Sequence, residues 1–169
     1  IPARMESTRF PGKPLAPIDG IPMIVYIAKN AAQTNFQTYV CTDSREIAEV
    51  CKLYSIDVIL TPEFTTGTDR VAWASLETGS DFSVNLQGDE PMINPKDILK
   101  CINLKSIHMN SIVNGFSIIT DLSESHSLNV PKVVLNESNK LIYISRSLVP
   151  GCKSPLSQSI IYRKQVCIY

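Results

Sequence analysis

The chain has 169 residues, 44% of them hydrophobic, with 16 Lys plus Arg balanced by 16 Asp plus Glu. That is enough for one filled core, and one domain over 1–169 is expected, cut short at its carboxyl end. Zero net charge argues against a general nucleic-acid binder, which carries a basic excess, and no leader or membrane-spanning run is visible. Five cysteines (Cys41, Cys51, Cys101, Cys152 and Cys167) fall in apolar runs without Cys-x-x-Cys spacing. They read as reduced, mostly buried thiols of a cytoplasmic protein.

The opening stretch, Ile1 to Leu15, suits neither a helix nor a core strand. It is read as a loop running to about Gly20. Pro22 suits a first helical turn, and Ile24, Ile27, Ala28 and Ala31 recur at helical spacing, so a helix is expected over 22–33. Residues 36–42 are β-branched and aromatic and predict a strand. Thr42-Asp43-Ser44 offers N-caps to a helix carrying Ile47, Val50, Cys51 and Tyr54 on one face. A strand is expected over 56–60, a polar loop over 61–69, a helix over 71–76 and a strand over 82–86. A helix over 95–106 follows, with Ile98, Cys101 and Ile102 on one side.

Repeated strand, loop and helix predicts an α/β fold of Rossmann-like type. Its mostly parallel sheet would carry helices on both faces. The pattern then changes. Strands over 111–120, 132–135 and 141–145, with a hairpin turn at Asn136-Glu137-Ser138-Asn139, predict a small antiparallel extension or arm over 107–150. Residues 150–158 read as a surface loop from which Lys153 could face a site.

Loops that follow parallel strands gather at one edge of a sheet, where ligands bind. The first loop places Arg4, Arg9 and Lys13 close together, which suits a polyphosphate. It lacks the Gly-x-x-x-x-Gly-Lys-Ser/Thr pattern of a P-loop. Gln87-Gly88-Asp89-Glu90-Pro91 puts a carboxylate just beyond an apolar strand. Asp89 is the expected ligand of a hard cation such as Mg2+, with Glu90 pointing elsewhere. Gly67-Thr68-Asp69-Arg70 reads as an N-cap at Thr68 with a solvated Arg70, or as a nucleotide contact made by Gly67, Thr68 or Arg70. His108 and His126 lack zinc spacing and read as surface residues, and Trp73 as helix packing.

Together these segments resemble the sugar-acid cytidylyltransferases, and among them the 3-deoxy-manno-octulosonate cytidylyltransferases, or CMP-Kdo synthetases. The resemblance rests on Ile1-Pro2-Ala3-Arg4, Ser7 to Leu15, Gly20 to Ile24, Thr42-Asp43, Gly67 to Arg70 and Asn85 to Pro91. Val130 to Leu135, Tyr143 to Arg146 and Ile168-Tyr169 extend it to the last residues. The resemblance implies a nucleotidyltransferase fold that moves CMP from CTP to a 2-keto-3-deoxy sugar acid, releasing pyrophosphate with Mg2+ as cofactor. It also implies a homodimer, with the antiparallel arm at its interface.

Carried over by position, Arg9, Lys13 and Asp89 would be catalytic, with Asp89 also the metal ligand. Ala3, Arg4, Gly67, Thr68, Arg70 and Gln87 would hold the nucleotide. Gln87, Arg146, Gln165 and Tyr169 would meet the sugar acid. Gln165 stands where the family usually has His, and Gln cannot titrate near neutrality. A second metal carboxylate is implied beyond residue 169. Rival readings are a cytidylyltransferase for sialic or legionaminic acid or for 8-amino-Kdo, a GTP- or UTP-dependent nucleotidyltransferase, and a non-catalytic nucleotide-binding or assembly protein.

Overall fold

The computed structural model describes residues 1–6, 10–151 and 160–169. Arg9, Cys152 and Lys153 lie outside the described residues. The chain divides into two compact units, Ile1–Val113 with Cys167–Tyr169, and Asn114–Val166.

In the first unit, β1 (Pro2–Ala3), β4 (Val40–Thr42) and β5 (Val58–Leu60) form a parallel sheet in the order β1-β4-β5. Between β1 and β4 come a short 3-10 turn at Lys13–Leu15, a two-residue hairpin of β2 (Pro17–Ile18) and β3 (Ile21–Pro22), and helix α1 (Met23–Ala32). Pro22 caps α1. Met23, Ile24, Val25, Ile27, Ala28 and Ala31 are buried, a broad apolar stripe of helical period. Helix α2 (Arg45–Leu53) starts at Ser44, whose side chain accepts from Ile47 N, and packs on β4 and β5 through Ile47, Ala48 and Cys51. Helix α3 (Gly67–Thr78) packs on β1 and β4 and ends at the left-handed Gly79. Helix α4 (Pro95–Ile107) starts at Asn94 with Pro95 in its first turn.

The second unit is an antiparallel sheet in the order β6-β9-β7-β8, from β6 (Gly115–Ile118), β7 (Lys132–Leu135), β8 (Leu141–Ser145) and β9 (Arg163–Val166). The β7–β8 turn is held by Asn136, whose Oδ1 accepts from Ser138 N and Lys140 N, with Asn139 at positive φ. The five-residue helix α5 (Leu122–His126) lies between β6 and β7 in the chain.

Three expectations need correction. The sheet is not mostly parallel: the fold is α/β, and its described strands form one three-stranded parallel sheet and two antiparallel ones, the larger of four strands. The strand expected over 36–42 is only Val40–Thr42, and 82–86 forms no strand, only an isolated bridge from Leu86 to Ile168. Phe36–Tyr39 and Phe82–Val84 instead line a cavity of about 450 Å³, without ladder partners along it among the described residues. β-Branched and aromatic composition marks a segment fit to pair, but pairing also requires a neighbour. Thirdly, α3 begins before Thr68: Thr66 is its N-cap, and its hydroxyl accepts from Asp69 N at 3.1 Å.

Candidate active site

Three segments distant in sequence meet at Pro2. A Cβ on Gly67 would sit 3.1 Å from Pro2 Cγ and 3.3 Å from Gln87 Oε1, and a Cβ on Gly88 would sit 3.0 Å from the Pro2 carbonyl oxygen. Neither glycine has a positive φ. Their role is close approach: any side chain would push β1, the head of α3 and the 87–91 bend apart. Asn30 on α1 secures the far end of that bend, its Nδ2 donating to Pro91 O at 2.9 Å.

The charged residues follow this frame. Gly12 N donates to Met5 O at 3.2 Å, closing the opening loop on itself. The 3-10 turn then carries Lys13, whose Nζ lies 3.5 Å from Asp89 Oδ2. Both side chains stay partly exposed, at 36% and 50%. Such an open pair adds little to stability, so both groups remain accessible to a ligand. Glu90 is turned away and accepts from Cys167 N at 3.3 Å. Arg4 is exposed and donates to the carbonyl of Thr65, just before α3, at 3.5 Å. Ala3 is buried in β1, where only its main chain can serve a ligand.

A second set of contacts links the bend to the last residues. Tyr169 OH lies 2.8 Å from Thr68 Oγ1 and accepts from Gln87 Nε2 at 3.2 Å. Gln87 Nε2 also donates to Asn85 Oδ1 at 3.0 Å. Main-chain bonds from Asn85 N to Tyr169 O, Tyr169 N to Asn85 O and Gln87 N to Cys167 O hold the two segments antiparallel. Gln87, Thr68 and Tyr169, far apart in the sequence, are therefore one hydrogen-bonded group.

Arg70 departs from the solvated reading of its sequence. It is neither solvated nor directed outward; its guanidinium is buried and donates to Asp43 Oδ2 at 2.6 Å and Thr61 Oγ1 at 2.5 Å. The sequence singles out neither Asp43 nor Thr61 as a partner of Arg70: Thr42-Asp43-Ser44 offers caps, only Ser44 caps α2, and the signal for Asp43 is a carboxylate one residue past a strand.

Arg146 and Gln165 belong to the second unit. Arg146 Nη1 donates to the carbonyls of Leu128 and Asn129, and its own carbonyl accepts from buried Lys132. Desolvation, then the nearby Arg146 charge, pushes the Lys132 pKa down. Gln165 sits on β9 opposite Phe116, with its N–H donating to Pro131 O at 2.9 Å.

Among the described residues, no group of three or more His, Cys, Asp or Glu side chains could hold a metal alone. The half-exposed Asp89 still fits Mg2+, which takes one or two carboxylates and completes its shell with phosphate oxygens and water. Burial raises the thiol pKa of Cys41, against the opposing charges of the Ile1 amine and Arg70, and pushes that of Cys51 up to about 11. Neither is an activated nucleophile.

The cytidylyltransferase family model matches residues 1–169. The chain belongs to the sugar-acid cytidylyltransferase family. It is 40% identical to the 3-deoxy-manno-octulosonate cytidylyltransferase of Polynucleobacter necessarius, covering all of this chain and 69% of that protein. It is also 40% identical to the enzyme of the same name from Nitratiruptor, over 91% of this chain and 67% of that one. The 8-amino-3,8-dideoxy-manno-octulosonate cytidylyltransferase of Shewanella baltica is 38% identical over 89% of this chain and 64% of its own length. The chain thus spans roughly two thirds of these curated relatives. Among solved structures, it matches a CMP:2-keto-3-deoxy-manno-octonic acid synthetase in complex with CTP. That match has a TM-score of 0.89 and 32% identity over 99% of this chain and 70% of the other.

Proposed function

We propose that this protein transfers CMP from CTP to a 2-keto-3-deoxy sugar acid, 3-deoxy-manno-octulosonate, and releases pyrophosphate. The observation that carries the reading is the facing of Lys13 and Asp89, from segments 76 residues apart, in a chain whose full length matches the cytidylyltransferase model.

The chemistry demands positioning and charge neutralisation. Lys13, with Arg4 and Arg9 from the same opening segment, holds the triphosphate and stabilises the departing pyrophosphate. The amides of Gly67 and Thr68, in the first turn of α3, have no intrahelical acceptor and suit an anionic or carbonyl oxygen. Gln87 and Tyr169, hydrogen-bonded to each other with Thr68 on the same phenol, present an amide and a phenol that orient the hydroxyls of the acid. Asp89 would hold Mg2+, which when bound draws negative charge from phosphate oxygens.

The protein is read as cytoplasmic, which the free, buried Cys41 and Cys51 support. We read it also as a homodimer. The edge strand β8 leaves Leu141, Ile142 and Tyr143 at least half exposed, an apolar edge of the kind that pairs with a second copy.

The test is pyrophosphate release by the full-length protein with CTP, Mg2+ and a panel of acidic sugars. Turnover with 3-deoxy-manno-octulosonate above the others is expected; no release with any acid ends the reading. The resemblance to the Shewanella enzyme favours a second reading, the 8-amino sugar acid, which the same panel separates by its preferred substrate.

A further inference from the structure

The head of α3 is tied down from within by a cluster that lies behind the reacting groups. Arg70 is 2% exposed. Its Nη2 reaches Asp43, which follows β4, and its Nη1 reaches Thr61, which follows β5. Thr61 N donates to Thr42 O at 2.9 Å, so the two strand ends are locked in register before Arg70 grips them. The Thr61 hydroxyl accepts from Arg70 while donating to Pro62 O at 2.8 Å, so its proton is committed. The guanidinium also lies 6.0 Å from the Phe64 ring centroid.

A buried guanidinium is tolerated only with a counter-charge, and an apolar pair of similar volume often does as well for stability. What the apolar pair lacks is direction. A planar fork bonded to two fixed acceptors sets the rotation of the helix as well as its distance from the sheet. Arg70 shares the first turn of α3 with Gly67 and Thr68. Fixing Arg70 therefore fixes the two residues that close against Pro2 and Gln87 and hold Tyr169.

We propose that the Arg70–Asp43–Thr61 cluster is a positioning device that orients the first turn of α3 toward the nucleotide, with Arg70 acting through Gly67 and Thr68 and never touching CTP. This inference rests on the function proposed above.

Its test uses the full-length protein and separates position from stability. The double variant Arg70→Met/Asp43→Leu replaces the buried guanidinium and its partly exposed carboxylate with apolar side chains and is expected to melt near the wild-type temperature. It should nevertheless show a KM for CTP raised about tenfold, roughly one lost directional charged contact, with kcat changed less. Amide exchange should quicken in the first turn of α3 while the rest of the helix stays protected. Arg70→Lys, which keeps the charge but not the planar fork, should recover part of the affinity relative to Arg70→Met.

Wild-type KM for CTP in a folded double variant would overturn the proposal and leave the pair a stability element. Should the double variant fail to fold, Thr61→Val decides: a rise in the same direction of about threefold supports the cluster, and no rise refutes it. A wild-type protein that neither binds CTP nor releases pyrophosphate would sink the proposed function instead. First-turn exchange in the variants would then still judge the pinning of α3.

Discussion

Both units expose large apolar side chains, but the first buries a far greater share of its own. In the first, Ile24, Val25, Ile27, Val40, Ile47 and Cys51 are fully buried, and the exposed side of the β1 and bend region carries the charged pair Lys13 and Asp89. In the second, Ile119, Val133 and Tyr162 are the buried hydrophobic residues among those described, while Phe116, Ile118, Leu128, Leu141, Ile142 and Tyr143 stay exposed. A filled core lets loops hold reactive groups within a few tenths of an ångström. A thin sheet with apolar exposed strands suits contact with another surface. We propose that the first unit carries the chemistry and the second the association.

The largest expected effect tests the first half of that contrast. Lys13→Ala or Asp89→Ala should slow pyrophosphate release by about 10²–10³-fold, the usual loss on removing one preorganised charge partner. Circular dichroism and melting temperature should stay near wild type, because an exposed pair contributes about 0–1 kcal/mol. Near-normal turnover in either variant would remove the pair from the site. Next, Ile142→Glu with Tyr143→Glu should halve the sedimenting mass without unfolding the protein; an unchanged mass would clear β8 of any role in association. Smaller again, Tyr169→Phe removes the hydroxyl shared with Thr68 and Gln87. It should raise the KM for the sugar acid about five- to tenfold, in line with one or two hydrogen bonds. An unaltered KM would make that hydroxyl a structural link only.

The same contrast explains what could be read from the amino acids. Helix α1 follows from the spacing of Ile24, Ile27, Ala28 and Ala31, and β7 and β8 from β-branched runs around an Asn turn; local chemistry suffices for both. Residues 82–86 carry an equally good strand composition, yet meet only Leu86's bridge to Ile168, because pairing depends on a neighbour 82 residues away. At the site, the unlike orientations of Asp89 and Glu90 were readable from their adjacency, and the structure sends them to different partners. The burial of Arg70 was not. A Gly-Thr-Asp-Arg sequence looks like a solvated helix start, and its carboxylate partner lies 27 positions earlier.

Alkaline titration gives the finest test, because the units respond with opposite sign. Burial raises the Cys51 thiol from its ordinary value of 9.0 to about 11. Between those values the unfolded chain releases a proton that the folded chain keeps, so this thiol's contribution is whole below pH 9 and disappears as pH climbs through about 11. Lys132 runs the other way. Desolvation first, and then Arg146, pushes its ammonium below 10.5, so the folded chain loses its proton before the unfolded one does. Its contribution grows as pH rises toward 10.5 and falls away as pH drops through the lowered value. Melting curves between pH 9 and 10.5 should therefore respond oppositely to two substitutions. Cys51→Ala should make the decline of stability with pH shallower, and Lys132→Met should make it steeper. Regional amide exchange should place the first change among α2 amides and the second among β7 amides. Equal slopes in both variants would mean that neither group is desolvated in solution, and the buried and open halves of the contrast would lose their electrostatic signature.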